Sequence, residues 1–146
     1  MGKFEFSLQK IMNFKQQRLD ISMSELQNLQ VAIQNTEDEI TATNQEYERV
    51  GAEFDEKSAM GVSKSEMMTY NAYLHSLIKK VNTLSAKKMN LESAMETKKA
   101  EVVQVKSDIK GLEKLKDKQY KEHLKLEQKK SEQVIEEFVV QQSLFN

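Results

Sequence analysis

The chain has 146 residues, enough for one ordinary domain, yet it contains no proline and only four glycines, and 31% of it is charged. A many-turned sheet draws on Gly and Pro for its turns, so that architecture is excluded, while 38% hydrophobic residues is too many for plain disorder. A net charge of −1 and the absence of cysteine remove a global drive towards nucleic acid, thiolate chemistry, disulfides and thiolate-bound zinc.

The first element is a helix over residues 4–56. Every seventh residue from Met12 is apolar: Met12, Leu19, Leu26, Ile33, Ile40, Tyr47 and Phe54. The companion series is leakier, with Leu8, Lys15, Ser22, Leu29, Thr36, Thr43 and Val50. Together they form a heptad repeat, whose 3.5-residue spacing predicts a left-handed supercoil.

Residues 57–63 form a turn. Gly61 adopts a positive φ at low cost. Ser63, with Glu66 three residues on, starts the next helix as a capping box.

The second helix covers residues 64–142. Its heptad series are Leu74, Val81, Lys88, Met95, Val102 and Ile109, and Tyr70, Leu77, Leu84, Leu91, Lys98, Val105 and Leu112. Folding the arms at Gly61 aligns Met12 with Ile109, Leu19 with Val102, Leu26 with Met95, Ile40 with Val81, and Val50 with Tyr70. Charge agrees: residues 1–56 hold five Lys/Arg against eleven Asp/Glu, net −6, and residues 57–146 hold seventeen against twelve, net +5. The run Glu37-Asp38-Glu39 falls opposite position 83, between Lys79-Lys80 and Lys87-Lys88. The expected fold is an all-α, long antiparallel two-helix coiled-coil hairpin, a single domain whose second helix overhangs the first. Residues 113–142 have no partner left in arm one, so Val134, Ile135, Phe138, Val139, Val140 and Phe145 want one from elsewhere.

No motif carries chemistry. A phosphate-binding glycine loop is missing, His75 sits one residue past a seam position, and His123 lacks the second histidine of a zinc helix. A two-helix rod has no cleft in which to shift carboxylate pKa values. The expectation is no catalytic, cofactor or metal site, and no enzyme. The arginine-free, Glu-interrupted lysines of arm two read as a solvated face, so no nucleic acid is expected. The longest run without a charged residue, 67–78, is too short to span a bilayer, and the N-terminus has no apolar signal core. The chain is expected in the cytosol with no direct membrane insertion. Off the seam, Phe6 and Phe14 at one end and Tyr73 near the turn suggest two docking ends.

The opening Phe4-x-Phe6-x-Leu8-x-x-Ile11-Met12, the central Glu46-Tyr47, Gly61, Ser63, Tyr70, Tyr73-Leu74 and Leu77, and the late Glu127-Gln128-Lys129-Lys130 and Glu136-Glu137-Phe138 resemble the FliJ family of the flagellar type III export apparatus. The resemblance covers the whole chain. It implies an antiparallel coiled coil similar to the stalk of rotary ATPases, whose paired termini enter the pore of the hexameric export ATPase. The other end contacts the cytoplasmic part of the membrane-embedded export gate, making the protein peripheral to the membrane, and some members bind export chaperones. The family's gate-contact pattern falls on Ile40, Tyr47, Tyr73 and Leu77. Two further gate positions are Thr36 and Thr43, where this sequence departs from the bulkier or amide residues of the family. ATPase contact is expected from Phe6, Phe14, Lys129, Val134, Glu136, Glu137 and Phe138. The alternative is a structural coiled coil that homodimerises through residues 113–142.

Overall fold

The computed structural model describes residues 2–145, apart from the side chain of Phe145, so the expectation for that side chain lies outside the described residues. Helix α1 spans Gln9–Met60 and helix α2 spans Lys64–Phe145, with no strand among the described residues. The two helices pair antiparallel, as the heptads require. Two compact units are distinguished, one of Ser22–Glu101 and one of Met1–Ile21 with Val102–Asn146.

In the unit Ser22–Glu101, α1 runs to Met60, about one turn beyond the expected end at 56. Gly61 then takes φ 103°, and its N–H donates to the Ser58 carbonyl. The Ser63 hydroxyl accepts from the Glu66 N–H at 3.1 Å, which is the N-cap half of a capping box. The core contains Val50, Leu77 and Leu84, together with three hydroxyl residues, Ser22, Thr36 and Thr43. Thr36 and Thr43 donate to the carbonyls one turn back, Ala32 at 2.8 Å and Glu39 at 2.7 Å. Their polarity is thereby satisfied inside α1, leaving their methyl groups for the seam. The leaky heptad positions of arm one are thus closed by small side chains. The bulky occupants of arm two, Leu77 and Leu84, supply the volume.

Lysines at seam positions lay their stems along the core and send the ammonium to a carboxylate on the facing helix. Lys88 reaches Glu37 at 3.1 Å, so the acidic run meets the basic one as expected. Lys98 reaches Glu25 and also its own helix at Glu101. These partly exposed pairs contribute at most ~1 kcal/mol each, and they set orientation more than stability.

In the other unit, Met12, Val102, Val105 and Ile109 are buried, and Lys15 pairs with Asp108 at 2.9 Å. Two expectations are corrected here. First, the helix begins at Gln9, not at Phe4, because residues 2–8 are not helical. Second, Phe6 is not an exposed off-seam aromatic: it is 7% exposed, a core residue. A helical wheel misplaces it because Phe6 is not on a helix. The stretch past Leu112 is also partly covered. Lys116 donates to the Gln9 side-chain carbonyl at 2.7 Å, and the Phe4 ring lies 5.4 Å from Tyr120 and 5.5 Å from His123. Beyond residue 131 every described side chain of α2 is exposed.

The Lys15 ammonium holds the Asp108 carboxyl below its ordinary value, with help from the Gln104 amide. A depressed carboxyl stabilises the fold above its unfolded pKa, and that contribution is lost as pH falls through the folded value. The window therefore lies at and below the ordinary aspartate value of 3.8. Thermal melts of wild type and Asp108→Asn should differ slightly at neutral pH and converge in that acid range. A gap that persists at acid pH would show that Lys15 is not the cause.

Candidate docking surfaces

The unit Ser22–Glu101 carries an aromatic, charged edge. Along α1, Glu46, Arg49, Glu53 and Lys57 recur at spacings of three and four, which puts them on one face. Arg49 grips Glu46 through two nitrogens, at 2.6 and 3.1 Å, and reaches Glu53 at 3.4 Å. Two α2 tyrosines complete the edge: Tyr73 donates to Glu46 at 3.2 Å, and Tyr70 donates to Glu53 at 3.0 Å. The Phe54 ring lies 5.2 Å from Tyr70, and the Lys57 ammonium lies 5.5 Å above the Tyr70 ring.

The electrostatics follow from these contacts. The Arg49 fork, opposed by some desolvation and helped by the Tyr73 hydroxyl, lowers the Glu46 carboxyl. Tyr73, bonded to that carboxylate, is raised. At neutral pH the edge therefore presents a neutral tyrosine hydroxyl pinned to a charged carboxylate.

The four expected gate-contact residues do not share one surface. Tyr73 is 43% exposed and Tyr47 is 39% exposed, whereas Ile40 is half-buried and Leu77 is in the core at 7%. Tyr73 and Leu77 line a shallow groove with Glu39, Ala42, Thr43, Glu46 and Lys80, and Ile40 and Tyr47 do not line it. Thr36 and Thr43 are buried at 1% and 4%, so neither offers a surface to a partner. Glu46 and Arg49, which set the Tyr73 hydroxyl, were given no role by sequence reasoning. The three-and-four spacing of Glu46, Arg49, Glu53 and Lys57 was the available signal.

The second surface belongs to the other unit. Val134, Ile135, Phe138 and Val139 are exposed, and Val134 and Phe138, four apart, share a face of α2. Residues two apart on a helix point nearly opposite ways, so Glu136 faces away from both. Lys129, seven residues from Glu136, shares its side, and Glu137 lies on the flank. Phe14 is 61% exposed on α1. The expected ATPase-contact residues thus divide into an apolar face and a charged one, with Phe6 removed to the core. His75 is exposed, and His123 is taken up by Phe4.

The chain is thus an antiparallel pair of helices with exposed aromatic and apolar side chains. Among the described residues no group of three or more His, Asp or Glu could hold a metal ion, and no helix is long and apolar enough to cross a membrane. The family model described as "Flagellar FliJ protein" matches residues 4–144, and the chain belongs to that family. It is accordingly a non-enzymatic component of flagellar protein export. No curated protein and no solved structure matches the chain.

Proposed function

We propose that this chain couples the hexameric export ATPase to the cytoplasmic part of the export gate, and assists export chaperones, at the cytoplasmic side of the membrane. The observation that carries this reading is the α2 stretch beyond residue 131, exposed all round, with Val134, Ile135, Phe138 and Val139 on one side and Val140 beside Glu136 and Glu137 on the other. An encircling partner can satisfy both faces at once; a flat surface satisfies only one. A ring pore is such a partner. Val134 and Phe138 would dock against its apolar wall, Lys129, Glu136 and Glu137 would pair with its polar one, and Phe14 would meet its rim.

The edge around Tyr73 is the proposed gate contact. Tyr73 and Tyr47 are accessible for direct contact, and Leu77 and Ile40 would act from beneath by fixing the helices that carry them. Tyr73→Ala should weaken binding to a purified gate fragment by about ten-fold, the ~1.4 kcal/mol typical of an aromatic anchor. Its thermal melt should be unchanged. Glu46→Gln keeps an acceptor for the Tyr73 hydroxyl and should lose less. Full gate binding by Tyr73→Ala would rule this edge out.

The same exposed apolar face also fits a second copy of the chain. Sedimentation decides between the readings: a monomer at micromolar concentration supports coupling, and a stable dimer lost on Phe138→Asp supports homodimerisation through residues 113–142.

A further inference from the structure

Residues 2–6 precede α1 as non-helical chain, and residues 7 and 8 turn into the helix. An extended residue advances about 3.3 Å and a helical one about 1.5 Å, so non-helical chain passes more residues of α2 than it uses itself. The neighbours follow that stride. Gln9 meets Lys116, Phe4 meets Tyr120 and His123, and Gly2 shares a groove with Glu127, Lys130, Ser131, Val134 and Ile135. Positions 109, 116, 120, 123, 127 and 134 recur at spacings of three, four and seven, which keeps them on one face of α2. This is the face through which Ile109 is buried. The segment therefore lies on a continuation of the seam after α1 has ended.

Its attachment is uneven. Phe6 is buried and Phe4 is half-buried. Among the described residues, the segment's backbone bonds outside helices are those at its inner end, from Gln9 N–H to the Phe6 carbonyl and from Met12 N–H to the Leu8 carbonyl. Among the described residues, no ion pair or side-chain hydrogen bond of Lys3 or Glu5 holds the outer half. A single ring thus seats the outer half over a face that continues into Val134 and Ile135.

We propose that residues 2–5 are a displaceable strap, an intramolecular stand-in for a polypeptide partner that takes the seam face of α2 over residues 120–135. Phe6 is the fixed post and Phe4 the latch. The strap lays the Phe4 ring over Tyr120 and His123 in the free chain, and a partner gains that face, with Val134 and Ile135 beyond it, by lifting Phe4 out. That the partner is the export ATPase rests on the function proposed above; the strap itself does not.

The chain has no cysteine, and a Cβ at Gly2 would meet nothing within 4 Å, so cysteines can be placed freely. In the full-length chain, Gly2→Cys with Ser131→Cys should be joined efficiently by a short bis-methanethiosulfonate. Gly2→Cys with Lys125→Cys, on another face, should be joined several-fold less. Equal yields overturn the seat. Binding of an environment-sensitive apolar dye should rise several-fold in Phe4→Ala, fall below wild type in the linked 2–131 protein, and recover on reduction, with helix content constant by circular dichroism. Dye binding that ignores both the link and Phe4→Ala overturns displacement. With purified ATPase, the linked protein should bind at least ten-fold more weakly than the same protein after reduction; equal binding also overturns the strap as a competitor. If the reduced protein fails to bind at all, the ATPase reading fails, and the strap is still decided by the link and the dye.

Discussion

Leu84→Asp will largely unfold the helix pair, whereas Met89→Asp, five residues along the same helix, will barely change it. Leu84 is 7% exposed and Met89 is 69% exposed. The hydroxyls of Thr36 and Thr43 are already committed to carbonyls of their own helix, and the Lys88 ammonium, one turn on from Leu84, is taken by Glu37 and Glu92. The aspartate must then ionise without a partner, protonate, or pull the helices apart, each at several kcal/mol. Natural domains have only ~5–15 kcal/mol in total, and a two-helix seam offers few other contacts to absorb the loss. Met89→Asp exchanges one solvated side chain for another and should stay within ~0.5 kcal/mol. Urea titrations followed by circular dichroism measure both. Similar midpoints for the two variants would mean that Leu84 does not face α1.

The same seam explains what could be read before the structure. An unbroken apolar series from Met12 to Phe54, a matching series on the second arm, and Gly61 followed by a Ser63 cap determine the helices, their antiparallel pairing and the turn. Each signal is local and periodic, and helical packing preserves that periodicity. Phe6 and Phe4 escaped because a non-helical segment has no helical period. A wheel drawn through residues 4–8 assigns Phe6 to an outer face that does not exist. The Thr36 and Thr43 positions escaped for another reason: a hydroxyl in a d position reads as a weak core, and only the bonds to Ala32 and Glu39 show that each threonine is comfortable there. Leu77 reads as a seam residue from the heptads and as an expected gate contact from the family resemblance. Its 7% exposure supports the seam, since a side chain holding two helices together has no free surface to give a partner. Tyr73 is free to serve because it stands one position outside the seam. The network from Glu46 to Arg49 then supplies the orientation that packing does not.

Under the proposed coupling, Val134→Asp combined with Phe138→Asp should weaken engagement of the export ATPase by about 100-fold or more, without moving the melting temperature. The melt is insensitive because Val134 is 64% exposed and Phe138 is 59% exposed, so neither contributes much burial in the free chain. The binding loss is large because two anchors on one helix face would each place a charge in an apolar contact, and a truncated or charged anchor typically costs about 2 kcal/mol or more. The charged side behaves differently. Lys129→Glu with Glu136→Lys exchanges the signs on the opposite side while leaving Val134 and Phe138 intact. Paired with a polar wall at the rim of a contact, such charges chiefly govern encounter, so this variant should bind more slowly, with altered salt dependence, and dissociate at close to the normal rate. The contrast separates the geometries. If the partner surrounds α2, both variants are impaired, one through dissociation and the other through association. A partner that meets α2 on a single face would leave one of them at wild-type affinity and rate, and the identity of the silent variant would name the face that stays in solvent.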